Sequence, residues 1–530
     1  MKLRSLWVDD YRSLKELELT FPEQPRLPIA LIAGVNGTGK SSILRALAHI
    51  FHALEYSQAP HIPFRLEYQI GRGTEIYAVT IRGDGHGAVS GVEFTVTKGD
   101  EPAAPREPGE WPSFLPNRVV IYTSGSLTEW QPIFAQADVG RERREHDWAE
   151  ALRAMQEGEG GIEEVPREAA EASALSRQDG ETLSSRILLL SPEHLRLALL
   201  ATLALDEGRS AEVRRHIYER VNLKGLEGFA LRLEPLASRV ISTQLRERLW
   251  RLLGDRPDDP ELIRQFEALT AGTAPILPEK PLERVRALAS VAAHRHRNPD
   301  GSYHLRFDMD DNTRKYLVSE QGFPNALQLY EFLADLRMRG VLAGVDLVLR
   351  KTDLADIILD RHLSDGEFEL LGRTALFLLM QEQREALFLF DEPETHFNDV
   401  WKRELVDMLS TTLGEQSSSA VLLTTHSSIV LSDVETEQIL LLKKTETGGV
   451  ERVSLRVPTL GADPSEILIA VLGASESIGK EAQDYLDAQL RRDWTIADLP
   501  ELERLIQRTG PGYHRSELRT IWRRLSAAQA

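Results

Sequence analysis

A glycine-rich octapeptide near the start of the chain constrains the fold more than any other segment. Gly34-Val35-Asn36-Gly37-Thr38-Gly39-Lys40-Ser41 lies between the apolar run 29–33 and a segment, 42–54, with apolar residues at helical spacing. A strand, a glycine-rich turn and a helix are the context in which backbone N–H groups surround phosphates. In such a turn the lysine neutralises the outer phosphates and the serine hydroxyl is a ligand for Mg²⁺.

The octapeptide therefore predicts a phosphate-binding loop for ATP with Mg²⁺, rather than a chance glycine-rich turn. The residues expected to contact the nucleotide are Asn36, Gly37, Thr38, Gly39, Lys40, Ser41 and Ser42. Ser41 is also the expected metal ligand of the loop.

Composition limits the class of protein around this loop. The chain has 530 residues, of which 42% are hydrophobic, enough for more than one domain with a substantial core. No apolar run reaches the roughly 18 residues of a membrane helix, so no membrane contact is expected. There is no cysteine, and the chain begins directly with strand-like alternation instead of a signal peptide. These features are compatible with a cytoplasmic protein.

The net charge of −19 disfavours general attraction to nucleic acid. Any such contact has to come from local basic patches, and acidic residues close to most of the arginines favour solvated helix faces instead. The candidate patches are Arg141 with Arg143 and Arg144, Arg214 with Arg215 and Arg220, Arg246 with Arg248 and Arg251, and Arg491 with Arg492.

Apolar patterning divides the chain into four regions. Residues 1–135 and 301–450 contain runs with the alternation or continuous apolar character of strands, interleaved with helical segments. Residues 136–300 have mainly helical spacing, and residues 451–530 are again mainly helical. We therefore predict an α/β head formed by the first and third regions, a large helical insertion, and a helical C-terminal extension.

A pair of adjacent acidic residues is the second sequence feature that constrains the fold and the chemistry. Leu387-Phe388-Leu389-Phe390 is followed directly by Asp391 and Glu392. A run this apolar is typical of a central parallel strand buried on both faces. Asp391 at its end is expected to hold Mg²⁺, and Glu392 to orient or deprotonate the attacking water. The alternative is a strand followed by an exposed acidic turn.

Two shorter motifs accompany this pair. Leu363-Ser364-Asp365-Gly366-Glu367 precedes a predicted helix, where the Ser364 hydroxyl and Gly366 N–H would form a second anion site. The strand predicted at 421–424 is followed by Thr425 and His426. Taken singly, Ser364 is more often a helix N-cap and His426 an ordinary surface residue.

In this order the motifs resemble those of the ATP-binding cassette superfamily. The turn Tyr11-Arg12-Ser13 is similar to that of its SMC, RecF and RecN branch. The resemblance implies a P-loop ATPase head with a mixed β-sheet lobe, in which Arg12 and Ser13 contact the nucleotide. It further implies that His426 acts with Glu392 at the γ-phosphate.

The same resemblance implies that Ser364 and Gly366 bind the ATP of an opposing subunit, so that two protomers close head-to-tail. Asp365 departs from the commoner glycine of that motif. The glutamine that normally completes the Mg²⁺ shell has no clear match, and Gln69 and Gln131 are the candidates.

The segments 391–403 and 424–429 are similar to the restriction-system-associated ATPases of prokaryotic immunity, which include PtuA-like subunits of Septu and retron systems. That likeness implies an oligomeric ATPase that regulates a partner effector such as an HNH nuclease. A DNA-repair ATPase of the RecF or RecN kind remains the main alternative and would act on DNA directly. A nuclease with a C-terminal Toprim domain is disfavoured by the short helical tail after residue 450, and a transporter subunit by the long separation of Lys40 and Ser364.

Overall fold

The computed structural model describes residues 1–133, 186–205, 218–234, 237–238 and 276–529, apart from short gaps at 24, 73–74, 100, 131–132, 220, 278, 300–301, 320–321, 382, 414–417, 446–447 and 475–476. The described residues form two compact units, Met1–Gly461 and Ala462–Ala530. Most of the region 136–300 lies outside the described residues, as does Gln131.

The strands are β1 (Lys2–Val8), β2 (Leu17–Thr20), β3 (Ile29–Ala33), β4 (Pro63–Arg72), β5 (Glu75–Asp84), β6 (Val92–Lys98), β7 (Ala104–Pro105), β8 (Val119–Thr123), β9 (Ile187–Leu190), β10 (Leu223–Leu233), β11 (Ala237–Ser238), β12 (Ile276–Leu277), β13 (His294–Arg297), β14 (Tyr303–Asp308), β15 (Leu342–Lys351), β16 (Ile357–Leu359), β17 (Leu387–Asp391), β18 (Ala420–Thr425), β19 (Ile439–Lys444) and β20 (Val450–Val453). The α-helices are α1 (Lys40–Glu55), α2 (Pro192–Ala204), α3 (Glu279–Ser290), α4 (Asp311–Leu317), α5 (Ala326–Met338), α6 (Asp365–Met380), α7 (Asp399–Lys402), α8 (Leu405–Leu413), α9 (Ser428–Leu431), α10 (Pro464–Ala470), α11 (Lys480–Arg491), α12 (Leu499–Arg508) and α13 (Tyr513–Gln529).

A seven-stranded sheet forms the centre of the first unit, in the order β20-β19-β3-β18-β17-β8-β9. All neighbours from β19 to β9 are parallel, and only β20 pairs antiparallel. Strand β17 is buried along its whole length, as its uninterrupted apolar sequence predicts for a central parallel strand. The loops after β3, β17 and β18 therefore meet at one edge, where ligands bind in open α/β sheets.

A six-stranded antiparallel sheet, β2-β1-β4-β5-β6-β7, shares a hydrophobic core with α1. Its strands alternate buried and exposed residues because one face covers the helix and the other faces solvent. Helix α1 is apolar on most of its surface since it packs against both sheets. The predicted P-loop α/β head with an additional β lobe is therefore confirmed.

The prediction of a helical insertion over 136–300 is wrong for several described residues. Strand β9 extends the central sheet, and β10 is the middle strand of a third sheet, β13-β14-β10-β15-β16. The reason is visible in β10, whose inward residues Phe229, Leu231 and Leu233 follow the two-residue period of a strand. Helices α2 and α3 form within this region as predicted.

The second unit is a small helical module. Its core is formed by Trp494, Leu502, Ile506 and Leu518, with Ile521 and Trp522 packed against it. The apolar stripes of α12 and α13 are thus used inside the module. The head extends beyond the predicted boundary at 450, because β20 pairs with β19. No helix among the described residues has the length and apolar character that crossing a membrane requires.

Candidate nucleotide-binding site

The glycine-rich loop connects β3 to α1 at the carboxyl edge of the central sheet. Gly37 and Gly39 have φ angles of 77° and 78°, which residues with a Cβ adopt only at a cost. A side chain at Gly34 would also come within 2.7 Å of the Leu442 carbonyl oxygen. The loop is therefore a backbone turn with exposed N–H groups at its crown, where Asn36 and Gly37 face solvent.

Thr38, Lys40 and Ser42 are buried in this loop. The Lys40 ammonium donates to the Gly34 carbonyl at 2.9 Å, and its Nζ lies 3.8 Å from Glu392 Oε1. The Thr38 hydroxyl donates to the Val35 carbonyl at 2.8 Å, so this side chain stabilises the turn. The contact of Thr38 with the nucleotide stays a prediction, and its backbone N–H is the group not used by this side-chain bond.

Asp391, at the end of β17, is surrounded by hydroxyl donors. Its Oδ1 accepts hydrogen bonds from Ser41 and Thr424, both at 2.7 Å, and its Oδ2 lies 3.4 Å from the Thr123 hydroxyl. The carboxylate is 6% exposed, and the two threonines fix it from β18 and β8. Sequence reasoning missed both threonines, although each is a polar residue at or next to the end of an apolar strand.

This donor set suits Mg²⁺. The ion prefers hard oxygen ligands and is commonly held by one or two protein groups together with substrate phosphates. Ser41 Oγ and Asp391 Oδ1 are in mutual contact and would supply those two protein oxygens. In the described part of the chain no cluster of three or more acidic, histidine or cysteine side chains is arranged to hold a metal by itself. Mg²⁺ bound here would neutralise phosphate charge.

Glu392 is held in an unusual backbone conformation, with φ of 50°. Its N–H donates to the Thr424 carbonyl and to the Thr424 hydroxyl, at 3.2 and 3.0 Å. The carboxylate Oε1 lies 3.4 Å from His426 Nδ1, next to the Lys40 ammonium. Strained backbone of this kind is concentrated at functional sites. Three residues that are distant in sequence, Lys40, Glu392 and His426, are therefore brought together.

Glu394 supports this arrangement through a chain of buried hydrogen bonds. It is 1% exposed and accepts a hydrogen bond from the Thr425 hydroxyl, which in turn accepts from the Ser427 N–H. Burial raises the pKa of Glu394, which favours its neutral form. The chain of hydrogen bonds fixes the backbone on both sides of His426.

Arg12 and Ser13 lie beside the loop, but Arg12 is already paired. Its guanidinium contacts Glu129 Oε2 at 2.6 Å, and Arg45 of α1 approaches the same oxygen at 3.5 Å. Ser13 Oγ lies 2.9 Å from the position that a Cβ of Gly39 would occupy. Direct contact of Arg12 with a phosphate would require it to leave Glu129.

Gln69 is not part of this site. Its side chain accepts from Arg4 at 2.7 Å, and it lines a cavity of about 480 Å³ with Ile29 and Ala420, at the amino ends of β3 and β18. Since the phosphate loop follows the carboxyl end of β3, Gln69 is at the wrong edge of the sheet to complete a Mg²⁺ shell. Thr123, at the carboxyl end of β8, is the polar residue that approaches Asp391 instead.

Ser364 and Gly366 begin α6. Ser364 is exposed and is the N-cap, forming a capping box with Glu367. Burial raises the pKa of Glu367, but hydrogen bonds from Lys351 and Ser364 outweigh it and lower the pKa overall. A Cβ at Gly366 would lie 2.8 Å from the Trp401 ring, so only glycine fits there.

Arg373 connects α6 to the segment that follows Asp391 and Glu392. It is 1% exposed, pairs with Glu369 at 2.8 Å, and donates to the Tyr122 hydroxyl at 2.6 Å and to the Thr395 carbonyl. Its guanidinium also lies over the Phe397 ring, 4.6 Å from the centroid. A single buried cation therefore joins α6, β8 and the segment 394–397.

Lys444 is a second cation at the loop that sequence reasoning missed. It ends β19, and its Nζ lies 3.0 Å from the position that a Cβ of Gly37 would occupy. The only available signal was its place at the carboxyl end of a strand next to β3. An exposed ammonium over the crown of the loop is placed to attract phosphate.

Lys444→Ala is expected to weaken ATP binding about two- to fivefold with little change in the maximal rate, because an exposed charge contributes about 0.2–1 kcal/mol. Lys443→Ala is the matched control, since neighbouring strand residues point to opposite faces. Titration with a fluorescent ATP analogue measures both variants. Equal affinities for the two variants would remove Lys444 from the site.

Two AAA-domain family models match this chain. One, described as "AAA domain, putative AbiEii toxin, Type IV TA system", covers residues 296–433, and the other, described as "AAA domain", covers residues 1–69. The second contains the phosphate loop and the first contains Ser364, Asp391, Glu392 and His426. Together with the site geometry, these matches support an ATPase.

Similar solved structures include SMC head domains. The Pyrococcus furiosus Smc head bound to the C-terminal domain of ScpA is 13% identical, with 86% of this chain and 96% of that chain covered and a TM-score of 0.34. The SMC head of Thermotoga maritima is 10% identical, with 86% and 100% covered and a TM-score of 0.31. The α/β fold of this chain follows from the strand order of its central parallel sheet. Among curated proteins, none matches the chain.

Proposed function

We propose that this protein is a Mg²⁺-dependent ATPase whose protomers close head-to-tail on ATP. The observation that supports this most is the cluster of Lys40, Ser41, Asp391, Glu392 and His426 at one sheet edge. Lys40 would bind the outer phosphates once ATP displaces its contact with the loop carbonyl. Glu392 would accept a proton from the attacking water, and His426 would contact the γ-phosphate.

Ser364 supports the head-to-tail arrangement. Ser364 and Asp365 are exposed at the start of α6, where a phosphate from another molecule could approach. To contact that phosphate, the Ser364 hydroxyl would have to release its hydrogen bond to Glu367. Asp365, also exposed, adds a negative charge to this helix start and would reduce the affinity unless it points away from the nucleotide.

Ser364→Ala is expected to weaken ATP-dependent dimerisation and hydrolysis by about tenfold or more, while the ATP affinity of the single protomer is kept. Loss of the N-cap alone costs about 1 kcal/mol of stability. Asn325→Ala is the matched control, because it removes the N-cap of α5. Mass photometry with and without ATP would show the difference. An unchanged dimer fraction in Ser364→Ala would contradict the head-to-tail arrangement.

We further propose that the ATPase regulates a partner effector in antiphage defence, with a nuclease of the HNH type as the first candidate. Support comes from the resemblance of the segments 391–403 and 424–429 to PtuA-like ATPases. The description of the family model matched by residues 296–433, which refers to a toxin system, agrees with such a role.

Co-purification with the products of neighbouring genes tests this role. A co-purifying nuclease that changes activity with ATP would support defence. A RecF- or RecN-like repair ATPase would instead show strong stimulation of hydrolysis by DNA ends with no partner. That second outcome would replace the defence role while leaving the ATPase proposal intact.

A further inference from the structure

The last helix of the chain, α13, exposes a basic face with no acidic residue on it. At 100° per residue, Arg519, Arg523 and Arg524 share one side of the helix with Ser516, Thr520 and Tyr513. All six are exposed, and Tyr513 is 68% exposed. The only carboxylate of the helix, Glu517, is half-buried at the margin of this face.

Two other basic residues of the module are neutralised by carboxylates. Lys480 pairs with Asp484 at 2.7 Å, and Arg492 pairs with Glu501 at 2.7 Å. Among the described residues, Arg519, Arg523 and Arg524 have no ion-pair partner. Three unpaired arginines on one helix face form a local positive patch in a chain with a net charge of −19.

Of the patches expected from the sequence, only the fourth, Arg491 with Arg492, lies among the described residues. Those at 141–144, 214–220 and 246–251 lie outside the described residues. In the fourth, Arg492 is neutralised by Glu501 and by Asp498.

We propose that this basic face, defined by Tyr513, Ser516, Arg519, Thr520, Arg523 and Arg524, binds the phosphate backbone of a nucleic acid. Arg519 and Arg523 are one helical turn apart, about 6 Å along the axis, so they can contact neighbouring phosphates of one strand. Arginine forks and serine or threonine hydroxyls are the usual phosphate ligands. The exposed Tyr513 ring at the helix start provides a stacking surface for a base.

A lipid surface fits this face less well. A helix that lies on a membrane buries an apolar face among the lipids. The apolar residues of α13, including Leu518, Ile521 and Trp522, are already packed in the core of the module. The exposed side carries no large aliphatic residue, so it offers charge and hydroxyl groups only.

Fluorescence anisotropy on the full-length protein with a labelled DNA duplex and a labelled single strand tests the proposal. Arg519→Ala/Arg523→Ala/Arg524→Ala is expected to weaken binding about tenfold or more at low salt. It should also reduce the slope of log affinity against log salt by about one per arginine. Basal ATPase activity without DNA should stay at the wild-type level, because none of these residues belongs to the cluster of Lys40, Asp391 and Glu392.

The control variant Arg65→Ala/Arg82→Ala/Arg306→Ala removes three exposed arginines from the first unit and should bind like wild type. The variant Arg519→Lys/Arg523→Lys/Arg524→Lys keeps the charge of the basic face and should keep most of the salt slope. The proposal is overturned if wild type binds neither DNA at low salt, or if the alanine triple keeps the wild-type slope. It is equally overturned if phosphatidylserine vesicles are bound and DNA is not.

Discussion

Glu392→Gln is expected to reduce ATP hydrolysis by about two to four orders of magnitude while ATP binding is kept, because the amide cannot accept the proton of the attacking water. The substitution preserves size, and the backbone contacts that hold residue 392 come from its N–H and Thr424. Under the head-to-tail proposal, the ATP-bound assembly should accumulate. Phosphate release measures the first effect, and mass photometry in ATP the second.

Glu93→Gln is the matched control, since it neutralises a carboxylate that is 73% exposed, on β6. It should hydrolyse ATP at the wild-type rate. Wild-type hydrolysis by Glu392→Gln would show that another group takes the proton. Asp391 would not be that proton acceptor, because its carboxylate oxygens already accept hydrogen bonds from Ser41, Thr424 and Thr123.

Lys40→Ala is the second substitution with a large expected effect. It should weaken ATP binding by about 10- to 100-fold or more, since a charge-assisted hydrogen bond contributes about 1.5–3 kcal/mol. The buried ammonium also holds the Gly34 carbonyl, so its loss would loosen the loop as well. Isothermal titration with ATP and Mg²⁺ would measure the affinity.

Lys98→Ala removes the same charge from β6, where the lysine pairs with Glu75, and should bind ATP normally. Thermal unfolding of Lys40→Ala without nucleotide separates lost binding from lost folding. A variant that is folded and still binds ATP with wild-type affinity would show that the loop does not hold the phosphates.

Much of the head follows from local sequence. The phosphate loop, the apolar run before Asp391 and the strand before His426 each have a pattern that only one kind of element satisfies. Because the carboxyl ends of parallel strands meet at one edge, the assembly of Lys40, Asp391, Glu392 and His426 was predictable from these three segments. The nucleotide contacts and catalytic roles of these residues remain predictions.

The remaining features depend on contacts that sequence spacing does not encode. Gln69 was a candidate for the Mg²⁺ shell because of its residue type, but on β4 it lies at the opposite edge of the central sheet from the phosphate loop. Lys444 approaches Gly37 only because β19 lies beside β3. Strand β10 could not be predicted from its neighbourhood, which is mainly helical in composition. Its sheet partners β14 and β15 come much later in the chain.

The buried Arg373 has a mechanical consequence if the protomers pair as proposed. It clamps the helix that would seal a neighbour's nucleotide to Thr395, three residues beyond the protomer's own Glu392. A displacement of α6 on contact with a neighbour's nucleotide would then be passed through Arg373 to Thr395, so the neighbour's ATP would influence the position of Glu392. In a symmetric pair of protomers, this contact would be present twice, and ATP hydrolysis at the two sites would be coupled.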